Sequence, residues 1–172
     1  MTTSKIDDRF KPLPRIGNNS CFVCGPDNPS GLHMNFLTDG QCVVSRVVVP
    51  DHLCGWRNLV HGGIISAILD EIMGWSALYL LKKVVLTKRI TVDFLKPIMV
   101  NQALFVEGRV AELPDDRHVL VQGAIHTPDN VLSARGKGLF TLFSTDDALV
   151  RELLGRDVID QFSTLYFHEQ SS

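Results

Sequence analysis

The residues with the clearest chemical potential open the most apolar segment of this 172-residue chain. His61, Gly62 and Gly63 stand together, and Asp70 follows about two helical turns later. On a helix beginning near His61, the first-turn N–H groups have no intrahelical partner, and the glycines let a ligand approach the backbone closely. Such donors at the positive helix end suit an oxyanion or a polarised carbonyl. The alternative is a tight helix entry in which His61 only caps or packs.

Asp70 belongs to a helix stripe of small side chains, formed by Gly63, Ala67, Asp70, Gly74 and Ala77. The opposite stripe is bulky and predicted to fill the core, with Ile65, Ile68, Ile72, Trp75 and Tyr79. A small-residue stripe permits close approach of a partner subunit or a slender ligand. Asp70 would lie in a narrow, partly dry space, where its pKa tends to rise. Glu71, about 100° further round, is predicted to face solvent or form a salt bridge.

The elements that must position these residues follow from the apolar pattern. Asp39-Gly40 between two strand-like runs indicates a hairpin, and the helix is apolar nearly all the way round, so it needs cover on several sides. The sequence predicts an α+β fold, a curled antiparallel sheet of about six strands wrapped around one long central helix. The predicted strands are 32–37, 42–49, 84–95, 103–111, 118–126 and 131–143. The predicted organisation is an arm at 1–20, a domain at 21–145, and a helix with a tail at 146–172.

Composition narrows the class of protein. Hydrophobic residues make up 45% of the chain and charged residues 21%, typical of a globular domain. The net charge of −2 argues against nucleic acid as a partner. Asp70 and Glu71 in the middle of the apolar helix argue against a membrane span, and four cysteines without a signal segment favour a cytoplasmic protein.

Two motifs give a family resemblance. The His61-Gly62-Gly63 and Asp70 pattern, with a strand beginning near Thr87, resembles the hot-dog-fold acyl-CoA thioesterases of the PaaI-like group (phenylacetate-pathway thioesterases). The Cys-Phe-Val-Cys-Gly-Pro-Asp-Asn-Pro-Ser-Gly-Leu segment at 21–32 resembles the N-terminal element of one branch of it. The resemblance spans about residues 20–143 and implies hydrolysis of an acyl-CoA to free acid and CoA. It also implies a homodimer, often paired into a homotetramer, with active sites at the dimer interface.

The resemblance also implies roles for individual residues. Asp70 matches the catalytic carboxylate, as general base or nucleophile, and Gly63 matches an amide that polarises the thioester carbonyl. Thr87 matches a Ser/Thr that orients water, contributed by the partner chain, and His61 lies near the thioester. No metal and no organic cofactor is implied. The strand pattern itself puts Thr87 on the same polar face as Arg89, Thr91 and Asp93.

The substrate would be held by further residues around this centre. The predicted set of binding residues is Gly62, Asn58, Lys88, Arg89, Arg135 and Lys137, although each basic residue could equally be an ordinary solvated charge. The family often has a polar side chain where this chain has Cys54 and Gly55, so Asn58 is the candidate substitute. This departure keeps a non-catalytic acyl-CoA-binding hot-dog protein as the alternative function. A hot-dog dehydratase is disfavoured, because no convincing His–acid pair stands on the matching elements.

The Cys21-x-x-Cys24 pair resembles half a zinc site or a redox pair. A structural zinc site needs four ligands, and no second cysteine pair follows. The sequence therefore predicts a packed turn that covers the sheet or the dimer edge, and no metal.

Overall fold

The computed structural model of the protein describes residues 6–167. One seven-stranded antiparallel sheet curls around a long helix. Its strands are β1 (Lys11–Pro12), β2 (Asn35–Thr38), β3 (Val43–Val48), β4 (Val84–Phe94), β5 (Ala103–Asp115), β6 (His118–His126) and β7 (Leu132–Phe143). Their order in the sheet is β1-β2-β3-β5-β6-β7-β4. The predicted α+β hot-dog architecture is confirmed. The strand count differs by one, because two residues of the predicted arm pair with β2; residues 1–5 of that arm lie outside the described range.

The central helix α1 (Gly62–Leu81) carries the core of the molecule. Ile68, Leu69, Ile72 and Met73 are each 0% exposed, because the sheet covers the helix on more than one side. The sheet approaches very closely at Gly108 of β5, where an added Cβ would lie 2.3 Å from the Ser76 hydroxyl. Only glycine fits between strand and helix at that point.

Of the described helices, α1 alone is long and apolar enough to cross a membrane by length and composition. Here its apolar faces pack against the sheet, as a core helix requires. The hairpin predicted at Asp39-Gly40 joins β2 to β3, with Gly40 at φ 84°. This positive φ is the backbone conformation that glycine adopts at no steric cost.

Three short helical segments follow the sheet: α2 (Ala148–Leu154), α3 (Arg156–Phe162) and a π-helical turn at Ser163–Phe167. Asp147 caps α2, accepting a hydrogen bond from the Leu149 N–H at 2.9 Å. The Tyr166 hydroxyl donates to the Pro14 carbonyl, and the Tyr166 ring packs edge-on against Trp75. The arm and the C-terminal segment therefore meet over α1. Residues 168–172 of the predicted tail lie outside the described range.

Candidate active site

Asp70 and Thr87 form a hydrogen-bonded pair. The Thr87 hydroxyl donates to the Asp70 carboxylate at 2.9 Å. After α1 ends, β4 runs back along the helix, so Thr87 lies beside Asp70 and Phe94 lies against Gly62 at the helix start. The family resemblance implied a Thr87 supplied by a partner chain. The structure corrects this, since one chain supplies both members of the pair.

A β-bulge at Lys88 turns Thr87 toward Asp70. Thr87 pairs with Phe140 of β7 and Arg89 pairs with the next residue, Leu139, so Lys88 is an extra residue in β4. A bulge shifts the alternation of side chains by one position. The predicted shared face of Thr87 with Arg89, Thr91 and Asp93 is therefore wrong. Thr87 faces α1, whereas those three side chains point away from it.

A cavity of about 230 Å³ opens beside the Asp70–Thr87 pair. Its apolar wall comes from α1, β4, β7 and the terminal segments, with Trp75, Leu78, Val85, Phe140 and Phe162. Its polar lining consists of Asn19, Cys21, Cys24, Asp70, Glu71 and Thr87. Gly74 contributes no side chain to the wall, as the small-residue stripe predicted. The cavity therefore has one apolar wall and one polar side, and the polar side carries the Asp70–Thr87 pair.

Burial controls the charge of Asp70. The loss of solvent raises the pKa of the Asp70 carboxyl, the Thr87 hydrogen bond lowers it, and the nearby Cys21 sulfur raises it. The net direction is upward, as the sequence predicted for a carboxylate in a narrow space. A carboxyl with a raised pKa is a stronger base once ionised, which suits proton abstraction from water.

Glu71 does not face solvent as predicted. Its carboxylate accepts a hydrogen bond from Trp75 Nε1 at 2.9 Å and lies 3.7 Å from Cys21 Sγ. Burial raises the pKa of Glu71 to about 7. The prediction failed because the N-terminal segment folds over this face of the helix, a long-range contact that helical spacing does not encode.

The Cys21-x-x-Cys24 turn packs onto α1 and lines the cavity. Cys24, hydrogen-bonded to Cys21, lowers the pKa of the Cys21 thiol to about 5, and the same bond together with burial raises the pKa of Cys24. Neither cysteine belonged to the predicted catalytic set. The Cys-x-x-Cys-Gly sequence is the signal that could have identified them. It would have done so only together with the expectation that α1 places a polar side chain, here Glu71, beside the two cysteines.

His61 caps α1, since its Nδ1 accepts the Gly63 N–H at 2.9 Å. The N–H groups of Ile64 and Ile65 bond to the His61 carbonyl. The first-turn amide that keeps no partner among residues 6–167 is therefore that of Gly62. In this structure His61 is therefore a helix cap, which was the alternative considered for it. The Gly63 N–H, expected to bind the carbonyl, already donates a hydrogen bond to His61.

The predicted binding residues are not gathered at the cavity within one chain. Asn58 lies exposed in the loop before α1, where its carbonyl accepts the Val100 N–H. Lys88 approaches the His118 ring at 3.0 Å, and exposed Arg89 points away from α1.

Arg135 and Lys137 lie on the outer face of the sheet. They flank Gly136, which faces α1, so alternation points both side chains outward. Arg135 bonds Asp93 at 2.8 Å, and both basic residues line a separate depression of about 570 Å³. Within one chain they do not meet Asp70.

Comparison with known proteins agrees with this architecture. Residues 57–133, from the loop before α1 into β7, match the family model of the thioesterase superfamily. The resemblance predicted from the sequence is thus confirmed for that segment. The chain matches no curated protein sequence.

Three solved structures, two of them of proteins described as thioesterases, share the fold. Thioesterase HI1161 of Haemophilus influenzae superposes with a TM-score of 0.65 and 17% identity, covering 73% of this chain and 88% of that one. The E. coli PaaI protein of the phenylacetic acid degradation operon superposes with a TM-score of 0.59 and 16% identity, covering 66% of this chain and 81% of that one. A hypothetical thioesterase of Streptococcus pneumoniae, solved with coenzyme A, superposes with a TM-score of 0.57 and 15% identity, covering 60% of this chain and 82% of that one. At these identities the likeness establishes the fold.

Proposed function

We propose that this chain, a thioesterase-superfamily protein over residues 57–133, hydrolyses an acyl-CoA thioester to a free acid and coenzyme A. The observation that carries the proposal is the Asp70 carboxylate, held by Thr87 in a cavity with one apolar wall. An acyl group suits such a wall, and a carboxylate with a raised pKa suits the activation of water. The coenzyme A in the streptococcal structure of the same fold supports this ligand class.

In the proposed reaction Asp70 accepts a proton from water while the water oxygen bonds to the thioester carbon. The C–S bond then breaks, and the CoA sulfur takes the proton back from Asp70. Thr87 keeps the carboxylate oriented for both transfers. Direct attack by Asp70, through an anhydride that water then cleaves, remains the second route. Incorporation of oxygen-18 into the Asp70 carboxylate during a single turnover distinguishes that route from the first.

The position of the helix start supports a dimer, which we propose as part of this function. Gly62 and Asp70 are eight residues apart on α1, about 12 Å along the helix axis, so one chain cannot present both groups to one carbonyl. The edge strand β4 has one neighbour, β7, among the described strands, so its other edge is free to pair. We propose that this edge pairs antiparallel with its copy, so that Asp70 of one chain lies near the helix start of the other.

The function is tested by thiol release from aryl-, short-chain and long-chain acyl-CoAs, with Asp70→Asn measured beside the parent protein. Asn keeps the oxygen that accepts the Thr87 hydrogen bond, so the fold is preserved while the base is lost. We expect one substrate class to turn over, and kcat to fall about 10²–10⁴-fold in the variant. Equal turnover by the two proteins would contradict the proposed role of Asp70.

A non-catalytic acyl-CoA-binding protein is the second candidate. The engaged Gly63 amide favours it, because one carbonyl-polarising donor is already used by His61. So does the loop before α1, where Cys54 and Gly55 supply no polar group of the kind the family often has. A binder would turn over no substrate of the panel, yet its melting temperature would rise with acyl-CoA and not with the free acid.

A further inference from the structure

A second cluster of reactive groups lines the same cavity as Asp70 and Thr87. Cys21 Sγ, Cys24 Sγ and a Glu71 carboxylate oxygen all lie within 4.8 Å of one another. The distance between Cys21 Sγ and Glu71 Oε2 is 3.7 Å. In tetrahedral zinc sites, Zn–S bonds of about 2.3 Å and Zn–O bonds of about 2.0 Å place sulfur and oxygen about 3.5 Å apart. Cys21 and Glu71 are therefore spaced as two ligands of a single ion, and Cys24 Sγ lies within 4.8 Å of both donor atoms.

Groups around the cluster hold its donors in place. The Val23 N–H donates to Cys21 Sγ at 3.4 Å, and Asn19 Nδ2 donates to Cys24 Sγ at 3.5 Å. Such N–H donors stabilise thiolates over thiols. On Glu71, Trp75 Nε1 holds Oε1 and leaves Oε2 turned toward Cys21. Outer-shell hydrogen bonds of this kind orient the ligands of metal sites.

The turn that carries the cysteines is closely packed. The Gly25 N–H donates to the Cys21 carbonyl at 2.9 Å. An added Cβ at Gly25 would lie 2.4 Å from the Asn19 carbonyl oxygen, so only glycine allows this turn. The two sulfurs are thereby fixed on the same side of the turn.

The charges of the cluster are unbalanced. Glu71 and its neighbour Asp70 both line the cavity, and no lysine or arginine is among the described residues that line it. Burial of acidic groups close together is costly unless a cation compensates them. A divalent ion bound by soft sulfur and hard oxygen would provide that compensation.

We propose that Cys21, Cys24 and Glu71 form a site for a thiophilic divalent cation, best matched by Zn²⁺, whose fourth position opens to the cavity. The site lies beyond the proposed thioester hydrolysis, which needs no metal. The two cysteines alone predicted no metal, because the third donor comes from a helix residue fifty positions away. Two thiolates and a carboxylate with an open position suit zinc with one bound water.

The test uses the full chain, stripped with a chelator in the presence of a phosphine reductant. Zn²⁺ is titrated in competition with a chromophoric chelator, and its stoichiometry is measured by elemental analysis. Co²⁺ replaces it in a second titration, which reports sulfur coordination through thiolate-to-cobalt charge-transfer absorption. We expect one ion per chain and that absorption band.

The variants are Cys21→Ser, Cys24→Ser and Glu71→Gln, with Cys54→Ser as the matched control because Cys54 is exposed and lies in a different loop. Each cysteine variant should weaken Zn²⁺ binding about a hundredfold or more, and Glu71→Gln about ten- to a hundredfold. The control should bind like the parent protein. Glu71→Gln retains the oxygen that accepts the Trp75 hydrogen bond, so it tests the site even where a cysteine variant fails to fold.

The proposal is overturned if the parent binds Zn²⁺ no better than Cys21→Ser, or if Cys54→Ser weakens binding equally. It is also overturned if the cobalt protein lacks thiolate absorption. These readouts are independent of catalysis. Asp70→Asn should lose turnover yet keep the ion and its charge-transfer band, so failure of the proposed hydrolysis and failure of the metal site are distinguishable.

Discussion

Replacement of Thr87 by Val tests the carboxylate–hydroxyl pair most directly. Val has nearly the same shape and cannot donate to Asp70. The Thr87 bond to the carboxylate favours its ionised form, opposing the burial that raises the Asp70 pKa. Without the bond, burial acts unopposed and the pKa of Asp70 rises further. The variant should therefore have less ionised Asp70 at any acidic pH.

The magnitude follows from the type of bond and its exposure. A hydrogen bond to a charged group contributes about 1.5–3 kcal/mol. Thr87 is exposed and Asp70 only half-buried, so we take the lower end. About 1.4 kcal/mol corresponds to a factor of ten in an equilibrium constant. We therefore expect kcat/KM to fall about tenfold on the acid limb of its pH profile, and less on the alkaline plateau.

The assay is thiol release from the best acyl-CoA substrate across the pH range, for the parent, Thr87→Val and Thr87→Ser. Ser keeps the hydroxyl and should restore most of the acid-limb activity. A loss that is equal at every pH would refute the reasoning, since Thr87 would then act by some route other than the ionisation of Asp70. So would a Ser variant as impaired as the Val variant.

Substitutions at three further positions separate stability from catalysis. Burial raises the pKa of Glu71 from 4.5 to about 7, so the native state loses stability as pH rises through that window. In metal-free protein, Glu71→Gln removes this loss and should stabilise the fold by about 1–3 kcal/mol at pH 8, and little at pH 4. Urea unfolding at the two pH values measures the difference. His61→Ala should lower the melting temperature by about 2–4 °C through the lost cap, whereas His61→Asn should retain it; equal melting of the two would argue against capping. Gly74→Ala should add about 0.5–1 kcal/mol of helix stability, since its Cβ meets only Phe140 at 3.8 Å. The added methyl group narrows the cavity, so KM should rise for the bulkiest acyl groups. An unchanged KM across the panel would place the acyl group elsewhere.

Local patterns in the sequence were sufficient for most of the fold. The apolar pattern of α1 and the Asp39-Gly40 turn each depend on neighbouring residues, so they could be predicted. Thr87 and Glu71 were misplaced for different reasons. The Lys88 bulge inserts one residue in an otherwise regular alternation, and the pairing partner that reveals it is on β7, about fifty residues away. The burial of Glu71 depends on a segment that contacts it only after the chain has folded.

The contact between Tyr166 and Pro14 joins residues 152 positions apart, with Ile16 and Phe162 on the cavity wall nearby. Closing so long a loop has a large entropic cost, which local hairpin contacts do not share. The sheet and α1 can therefore form before the cavity has its full wall. In native-state hydrogen exchange, amide protons of α3 should exchange through opening reactions well below the global unfolding free energy, while those of β6 require unfolding of the whole sheet.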